Sequence, residues 1–353
     1  MDCCEGPLCP QAGTSEKPQG IGRRTLLQGM LAAAGGVLIS PGGLPAAQAQ
    51  AKKIRLAFCS QLLCIVPYEV ARAEGYFKEE GLDVELVYTR GGNAAMQALI
   101  GGAVDYAATA FDVALQAYAR GAKIVRFAST GRLPLFALAT APAKKDEIKG
   151  LKDLENRSVG ISALGNADHI ILLYLLKQAG ADPKKVRFAI LGPNLFDALR
   201  LGQVDAGMVQ EPALTLLGQS GSRVLVNTMD IGDANKFLGG AYEFMGVAVR
   251  ADERDRRLDE MRRLARALGK ALRATRTEPV ERLIGALPKA MVAGGNTKHL
   301  AAALERHRKS LYPENPKIDP AASLRVANSH REAGILKDGV DPKGVLDLKV
   351  LGG

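Results

Sequence analysis

The 353-residue chain has no tryptophan, only four histidines, and few aromatics of any kind. Ring stacking on a ligand would therefore fall to Phe58, Tyr68, Phe111, Phe136, Phe196, Tyr242 or Phe244, most of which read as core residues. The formal net charge is +10, yet no tight Lys/Arg run is interleaved with aromatics, so the footprint of a nucleic-acid binder is missing. No apolar run is long enough for a membrane span of about 20 residues. Neither a Gly-x4-Gly-Lys-Ser/Thr phosphate loop nor a full dinucleotide fingerprint occurs. Cysteine is scarce, and three of the five, Cys3, Cys4 and Cys9, crowd the first nine residues.

What the N-terminus does contain is an export pattern. Arg23-Arg24 precede a moderately apolar stretch, Thr25 to Ile39. Pro41, Gly42 and Gly43 follow, then the small-x-small site Ala47-Gln48-Ala49. The paired arginines fit a twin-arginine signal, although Gly22 and Leu26 depart from its usual residues. Residues 1–49 are thus expected to be removed on export to the periplasm. No cysteine stands at the cleavage point for a lipid anchor. The leader carries as many acidic as basic residues, so the mature chain keeps its charge of +10. It keeps only Cys59 and Cys64, in an oxidising compartment.

Beyond the leader, short apolar strand-like runs alternate with helical stretches. Arg55–Phe58, Asp83–Tyr88, Tyr106–Ala108 and Lys123–Phe127 form one series. Ser158–Ser162, Val186–Leu191 and Ala206–Val209 form a second, after a polar interval. Such alternation predicts mostly parallel sheets covered by helices, an α/β fold in two lobes. Helices close the chain. Leu258, Met261, Ala265, Leu268 and Leu272 make one apolar stripe, and Arg254, Arg257, Arg262, Arg263, Arg266 and Arg273 fall largely elsewhere. That arginine face reads as solvated, with docking of an acidic partner as the alternative.

Gly91-Gly92-Asn93 and Ser162-Ala163-Leu164-Gly165-Asn166 sit where strands hand over to helices. Unpaired backbone N–H groups at a helix start can hold an anionic or strongly polar group. In open α/β sheets, ligands gather at the carboxyl ends of strands. In VPYEVARAEGYFKEEGLDVELV (66–87), GGNAAMQALIGGAVDYAATAFDVALQAYARG (91–121), LKDLENRSVGISALGNADHIILLYLLKQAGADPKKV (151–186) and LRLGQVDAGMVQEP (199–212), the chain resembles the solute-binding proteins of nitrate/sulfonate/taurine-type ABC importers. That superfamily also holds thiamine-pyrimidine binders and synthases.

The resemblance implies a type II periplasmic binding fold, two lobes closing on a ligand in the cleft between them. Crossovers are expected near 137–144 and 239–248. That gives one lobe from 50–140 and 242–353, with the C-terminal helices, and a second from 141–241. It also implies a set of ligand residues on the pocket loops: Ser60, Gln61, Leu62, Asn93, Thr109, Asp112 and Thr130 from the first lobe, Ser162, Gly165, Asn166, His169, Gln210 and Glu211 from the second, and Tyr242 at the return crossover. Asn166, Glu211 and Asp112 also have a plainer reading as residues that start helices. Arg90 and Arg132 would favour a sulfonate or carboxylate, while Asp112 and Glu211 would oppose it.

The resemblance further implies a monomer that takes a small-molecule solute, partners an inner-membrane permease, and needs neither cofactor nor catalysis. The alternative is an exported metal-dependent enzyme related to the synthases, whose denser cysteine motif this chain lacks. Cys59 and Cys64 fall on the first pocket loop. Five extended residues reach roughly 17 Å, and a disulfide needs Cα atoms within about 7 Å, so bridging requires the loop to turn back. A candidate disulfide, two separate thiols and a metal clip all remain open, although a metal usually wants three or four ligands.

Overall fold

The computed structural model describes residues 53–292 and 297–352, so the leader read in residues 1–49 lies outside the described residues. The chain begins β1 (Ile54–Cys59), α1 (Leu62–Ala73), α2 (Tyr76–Glu79), β2 (Val84–Thr89), α3 (Gly92–Ile100), β3 (Tyr106–Ala110), α4 (Phe111–Ala119) and β4 (Ile124–Ser129). It continues with β5 (Ala137–Thr140), β6 (Ser158–Ile161), α5 (Ala167–Gln178), β7 (Arg187–Ile190), α6 (Leu195–Arg200), β8 (Ala206–Val209), α7 (Ala213–Gln219), β9 (Val224–Asn227) and α8 (Ile231–Leu238). It ends with β10 (Met245–Arg250), α9 (Leu258–Thr277), α10 (Val280–Ala286), α11 (Lys289–Val292), α12 (Thr297–Leu311) and α13 (Pro320–Glu332).

The strands form two sheets of the same pattern, β2-β1-β3-β10-β4 and β7-β6-β8-β5-β9. In the first, β1 runs parallel to β2 and β3, and β10 is antiparallel to β3 and β4. In the second, β6 runs parallel to β7 and β8, and β5 is antiparallel to β8 and β9. Near-continuous burial of β1 and β3 follows from helices covering both faces of a mainly parallel sheet.

Two boundaries move relative to expectation. Ala137–Thr140 was expected to cross between lobes, but it pairs with β8 and β9 and belongs to the second sheet. The first crossing therefore comes earlier, between Ser129 and Ala137. Residues 245–248, expected in the return crossover, already pair with β3 and β4.

A buried ion pair fixes that return. Arg126 of β4 is fully buried, and its Nη2 donates to Glu243 Oε1 at 2.7 Å and to the carbonyl of Phe244 at 2.8 Å. Its Nη1 donates to the carbonyl of Thr109 at 3.0 Å. The guanidinium passes across β10 at Gly246, where a Cβ would overlap both it and the Ala128 carbonyl oxygen. Glycine is therefore required by space at this position.

The arginines that lead into α9 and line it are neither bare solvent surface nor an open dock. Arg254 bridges Asp347 at 2.5 Å, Arg257 meets Asp105, Glu253 and Glu260, and Arg266 meets Glu80 at 2.8 Å. The opposite stripe, Met261, Ala265, Leu268 and Leu272, is buried. One face of α9 thus packs into the core, while Arg266 and Lys270 on the other are tied by ion pairs to Glu79 and Glu80 at the end of α2. Among the described residues no helix is long and apolar enough to cross a membrane.

Candidate functional site

The loops that follow the parallel strands converge on one cleft. Its main cavity, about 700 Å³, is lined by Ser60 and Gln61 after β1 and by Thr89 and Arg90 at the end of β2. From the second sheet come Ser162 after β6, Gly192, Pro193, Leu195 and Phe196 after β7, and Met208 to Ala213 around the end of β8. Phe136, just before β5, also contributes. A niche of about 40 Å³ shares Gln61, Arg90, Phe136, Ser162 and Asp168 and adds Cys59, Cys64, Gly91, Gly92 and Asn166. Ligand-binding residues at strand carboxyl ends are what this topology dictates.

Of the residues expected to bind ligand, Ser60, Gln61, Ser162, Asn166, Gln210 and Glu211 line these cavities. Ser60 Oγ donates to the Thr89 carbonyl at 2.8 Å. Ser162 Oγ donates to Asp168 Oδ1 at 2.8 Å and accepts from Asn166 Nδ2 at 3.0 Å, while its N–H donates to Asp168 Oδ2 at 2.6 Å. Asn166 heads α5 without a side-chain cap bond, so its plainer reading as a cap is not what the side chain does. Two buried polar atoms of cleft residues, Asn166 Oδ1 and Gln210 Nε2, have no hydrogen-bond partner among the described residues.

The other expected residues lie elsewhere. Asp112 is fully buried beneath the cleft, accepting from Tyr242 Oη at 2.8 Å with His330 Nε2 3.8 Å away. Burial holds its carboxyl above the usual range. Tyr242 is buried in the same cluster and also meets Ser329 Oγ at 3.0 Å. Thr130 is buried against Tyr68 Oη at 2.7 Å, and Thr109 is turned to its neighbouring carbonyl. His169 packs edge-on against Phe188, its Nδ1 accepts from Gly165 N–H at 3.2 Å, and burial lowers its pKa. The Gly165 carbonyl accepts from Gln116 Nε2 at 3.0 Å. Leu62 and Asn93 line neither cavity.

The two cysteines are free thiols, both buried, so the candidate disulfide is not formed in this structure. Their Sγ atoms lie 3.8 Å (Cys59) and 3.6 Å (Cys64) from Gln61 Oε1 and donate to it.

The charges also sort out. Arg132 donates to the carbonyls of Ser310 at 3.0 Å and Lys309 at 2.8 Å, at the end of α12, so it is engaged away from the cleft. Glu211 Oε2 and Oε1 accept from Thr215 N–H and Oγ1, each at 3.0 Å, with Arg306 and His307 both 3.7 Å off. Burial raises the Glu211 pKa, but these donors outweigh it and hold the carboxyl below its ordinary value. Asp168 is pushed up by burial and partly restored by Ser162. Both carboxylates are thus committed to local donors. Arg90 is exposed at the cleft and has no hydrogen-bond or ion-pair partner among the described residues.

Residues 64–282 match the family described as NMT1/THI5 like, and the chain belongs to that family. Its curated relatives include a protein of Bacillus subtilis described as putative binding protein YtlA, 27% identical over 182 residues (48% of this chain, 52% of the relative). They also include the 4-amino-5-hydroxymethyl-2-methylpyrimidine phosphate synthase of Schizosaccharomyces pombe, 29% identical over 144 residues (40% of each chain). The chain thus spans about half or less of each relative's length. Among solved structures, a protein of Bordetella bronchiseptica is 24% identical with a TM-score of 0.76, over 85% of this chain and 95% of that one. The periplasmic aliphatic sulphonate binding protein SsuA of Escherichia coli is 19% identical with a TM-score of 0.65, over 83% and 96%. The fold is that of periplasmic binding proteins.

Proposed function

We propose that this protein is the solute-binding component of an ABC importer, exported to the periplasm, and that its cleft holds a small organic anion for delivery to an inner-membrane permease. The observation that carries this reading is the imbalance of the cleft: one unpartnered cation, Arg90, opposite carboxylates already bound to donors. Three helices that begin at the cleft, α1, α3 and α5, have no side-chain cap, so their first N–H groups add positive potential.

The cleft also has apolar walls, from Phe136, Pro193, Leu195, Phe196 and Met208. A volume of about 700 Å³ lies within the roughly 300–1,000 Å³ of small-organic-molecule sites. Nitrate or bicarbonate would leave these walls uncovered, so an alkyl or aryl sulfonate or carboxylate suits the cleft better. The protein acts as a monomer, through lobe closure and not through catalysis. Ligand contacts are assigned to Ser60, Gln61, Arg90, Ser162, Asn166 and Gln210.

The test is native mass spectrometry of protein purified from the periplasm without reductant, followed by a thermal-shift panel. The panel covers sulfonates, aromatic carboxylates, nitrate, bicarbonate and pyrimidines. Saturation at 100 times Kd should stabilise the protein by about 2.7 kcal/mol. No shift with any organic anion would refute the reading. The second reading, a metal-dependent enzyme, draws on the synthase relative and the thiol pair beside Gln61. A stoichiometric metal mass retained by wild type and lost in Cys59→Ala/Cys64→Ala would favour it.

A further inference from the structure

Two buried thiols on a ligand loop call for an explanation that core packing alone does not supply. Cys59 ends β1 and Cys64 lies in the first turn of α1, and between them Gln61 is the residue that heads the helix. Gln61 lines both the main cavity and the niche, whereas the cysteines line only the niche. The Gln61 side chain therefore stands between the thiols and the space a ligand would fill.

An amide has one accepting and one donating end. Gln61 Oε1 faces both thiols, 3.6 and 3.8 Å away, and its Nε2 has no partner among the described residues. Turning the amide over would set an NH2 group against two S–H donors and offer the cleft a carbonyl oxygen. Burial keeps Cys64 a thiol at neutral pH, so at least one S–H is always present.

We propose that Cys59 and Cys64 are positioning residues for ligand selectivity: together they hold the Gln61 oxygen inward and present its NH2 group to the cleft. A cleft set in this way favours head groups that only accept hydrogen bonds, sulfonate or carboxylate, over sulfonamide or carboxamide head groups that also donate. The selectivity argument rests on the organic-anion reading above; the orientation of Gln61 does not.

The experiment uses protein purified from the periplasm and two readouts. The first, without ligand, is the side-chain 15N–1H resonance of Gln61, assigned by its loss in Gln61→Ala. It should move in Cys59→Ala/Cys64→Ala, which removes both donors, and keep close to its place in Cys59→Ser/Cys64→Ser, which retains them. The second is the ratio of affinities for p-toluenesulfonate and p-toluenesulfonamide by calorimetry. S–H is a weak donor, so the ratio should fall by roughly fivefold in the alanine pair, well under the tenfold of a strong bond. It should recover in the serine pair, and in a Gln61→Ala background the cysteine substitutions should change nothing further.

An unmoved resonance with an unchanged ratio would overturn the proposal, as would an equal fall in the Gln61→Ala background. If wild type binds neither probe, the sulfonate reading fails, and the resonance alone still decides how Gln61 is held. If the alanine pair does not fold, Gln61→Glu decides: it keeps the acceptor and loses the donor. Sulfonate binding should then drop more than tenfold while sulfonamide binding persists, and equal losses would refute the assignment.

Discussion

Replacing Arg126 by methionine tests how the return of the chain to the first sheet is held. The substitution keeps an unbranched apolar stem and removes the guanidinium. The carbonyl of Phe244 keeps a donor, since the Phe111 N–H reaches it at 2.8 Å. The main loss falls on Glu243, which is left fully buried with little beyond a long 3.4 Å contact from the Asp319 N–H and a bond from Ser129.

Breaking a buried pair from one side typically costs about 3–5 kcal/mol, because a charge is left without its partner. Against a typical total stability of about 5–15 kcal/mol, that should shift a urea midpoint visibly at an unchanged m-value. The pH dependence gives an independent check. Burial already holds Glu243 above the ordinary carboxylate range, with Arg126 pulling the other way. Without Arg126 the folded-state pKa rises further.

A folded pKa above the unfolded one means that the native state binds the extra proton, so stability falls as pH rises between the two values. The deficit of Arg126→Met should therefore shrink as pH is lowered through the raised Glu243 pKa and widen above it. An Arg126→Met/Glu243→Leu double variant should recover most of the loss. A single-variant deficit under about 1 kcal/mol, or one independent of pH, would refute the view that an uncompensated buried charge is what the variant creates.

Three further outcomes are expected. Gly246→Ala should destabilise by about 2 kcal/mol or more in the same urea assay, because its Cβ overlaps the Ala128 oxygen and the Arg126 guanidinium. Arg90→Ala should weaken binding of any organic anion found by about tenfold in calorimetry while leaving the urea midpoint within error, since Arg90 is exposed and supports nothing else. Glu211 has a folded pKa below its ordinary value, so its contribution to stability is present above the unfolded pKa and is lost as pH falls through the folded one; Glu211→Gln should remove that segment of the acid-unfolding curve.

The sequence was most legible where parallel strands feed helices. Runs such as Arg55–Phe58 and Ala206–Val209 are bounded by turn residues, and each became a strand within a residue or two. The antiparallel strands were harder. Ala137–Thr140 is a four-residue, alanine-rich stretch, and Met245–Arg250 is reached only after the chain has built another whole sheet. Nothing local marks which sheet such a segment joins.

The candidate site divides along a similar line. Loops after parallel strands pointed to Ser60, Gln61, Ser162 and Gln210. The first turn of a helix, however, has one side toward the cleft and another toward a neighbour. Only the placement of α13 shows that Asp112 turns to Tyr242 and His330. Asp168 carries no more signal than any acidic residue in a helical first turn. Pro193, Leu195 and Met208 read as ordinary core, because apolar cleft wall and apolar interior have the same composition.

Aspartates close the starts of α8 and α13, away from the cleft: Asp230 accepts from Gly232 and Asp233, and Asp319 from Ala321 and Ala322. At the cleft, α1, α3 and α5 start without any such lid of their own. A bound anion would complete three secondary-structure elements at once, two from one sheet and one from the other. Occupancy and tertiary order are then the same variable. Amide exchange at Leu63, Ala94 and Asp168, in the opening turns of those helices, should slow together when solute arrives, so that the fold itself reports whether the protein is loaded.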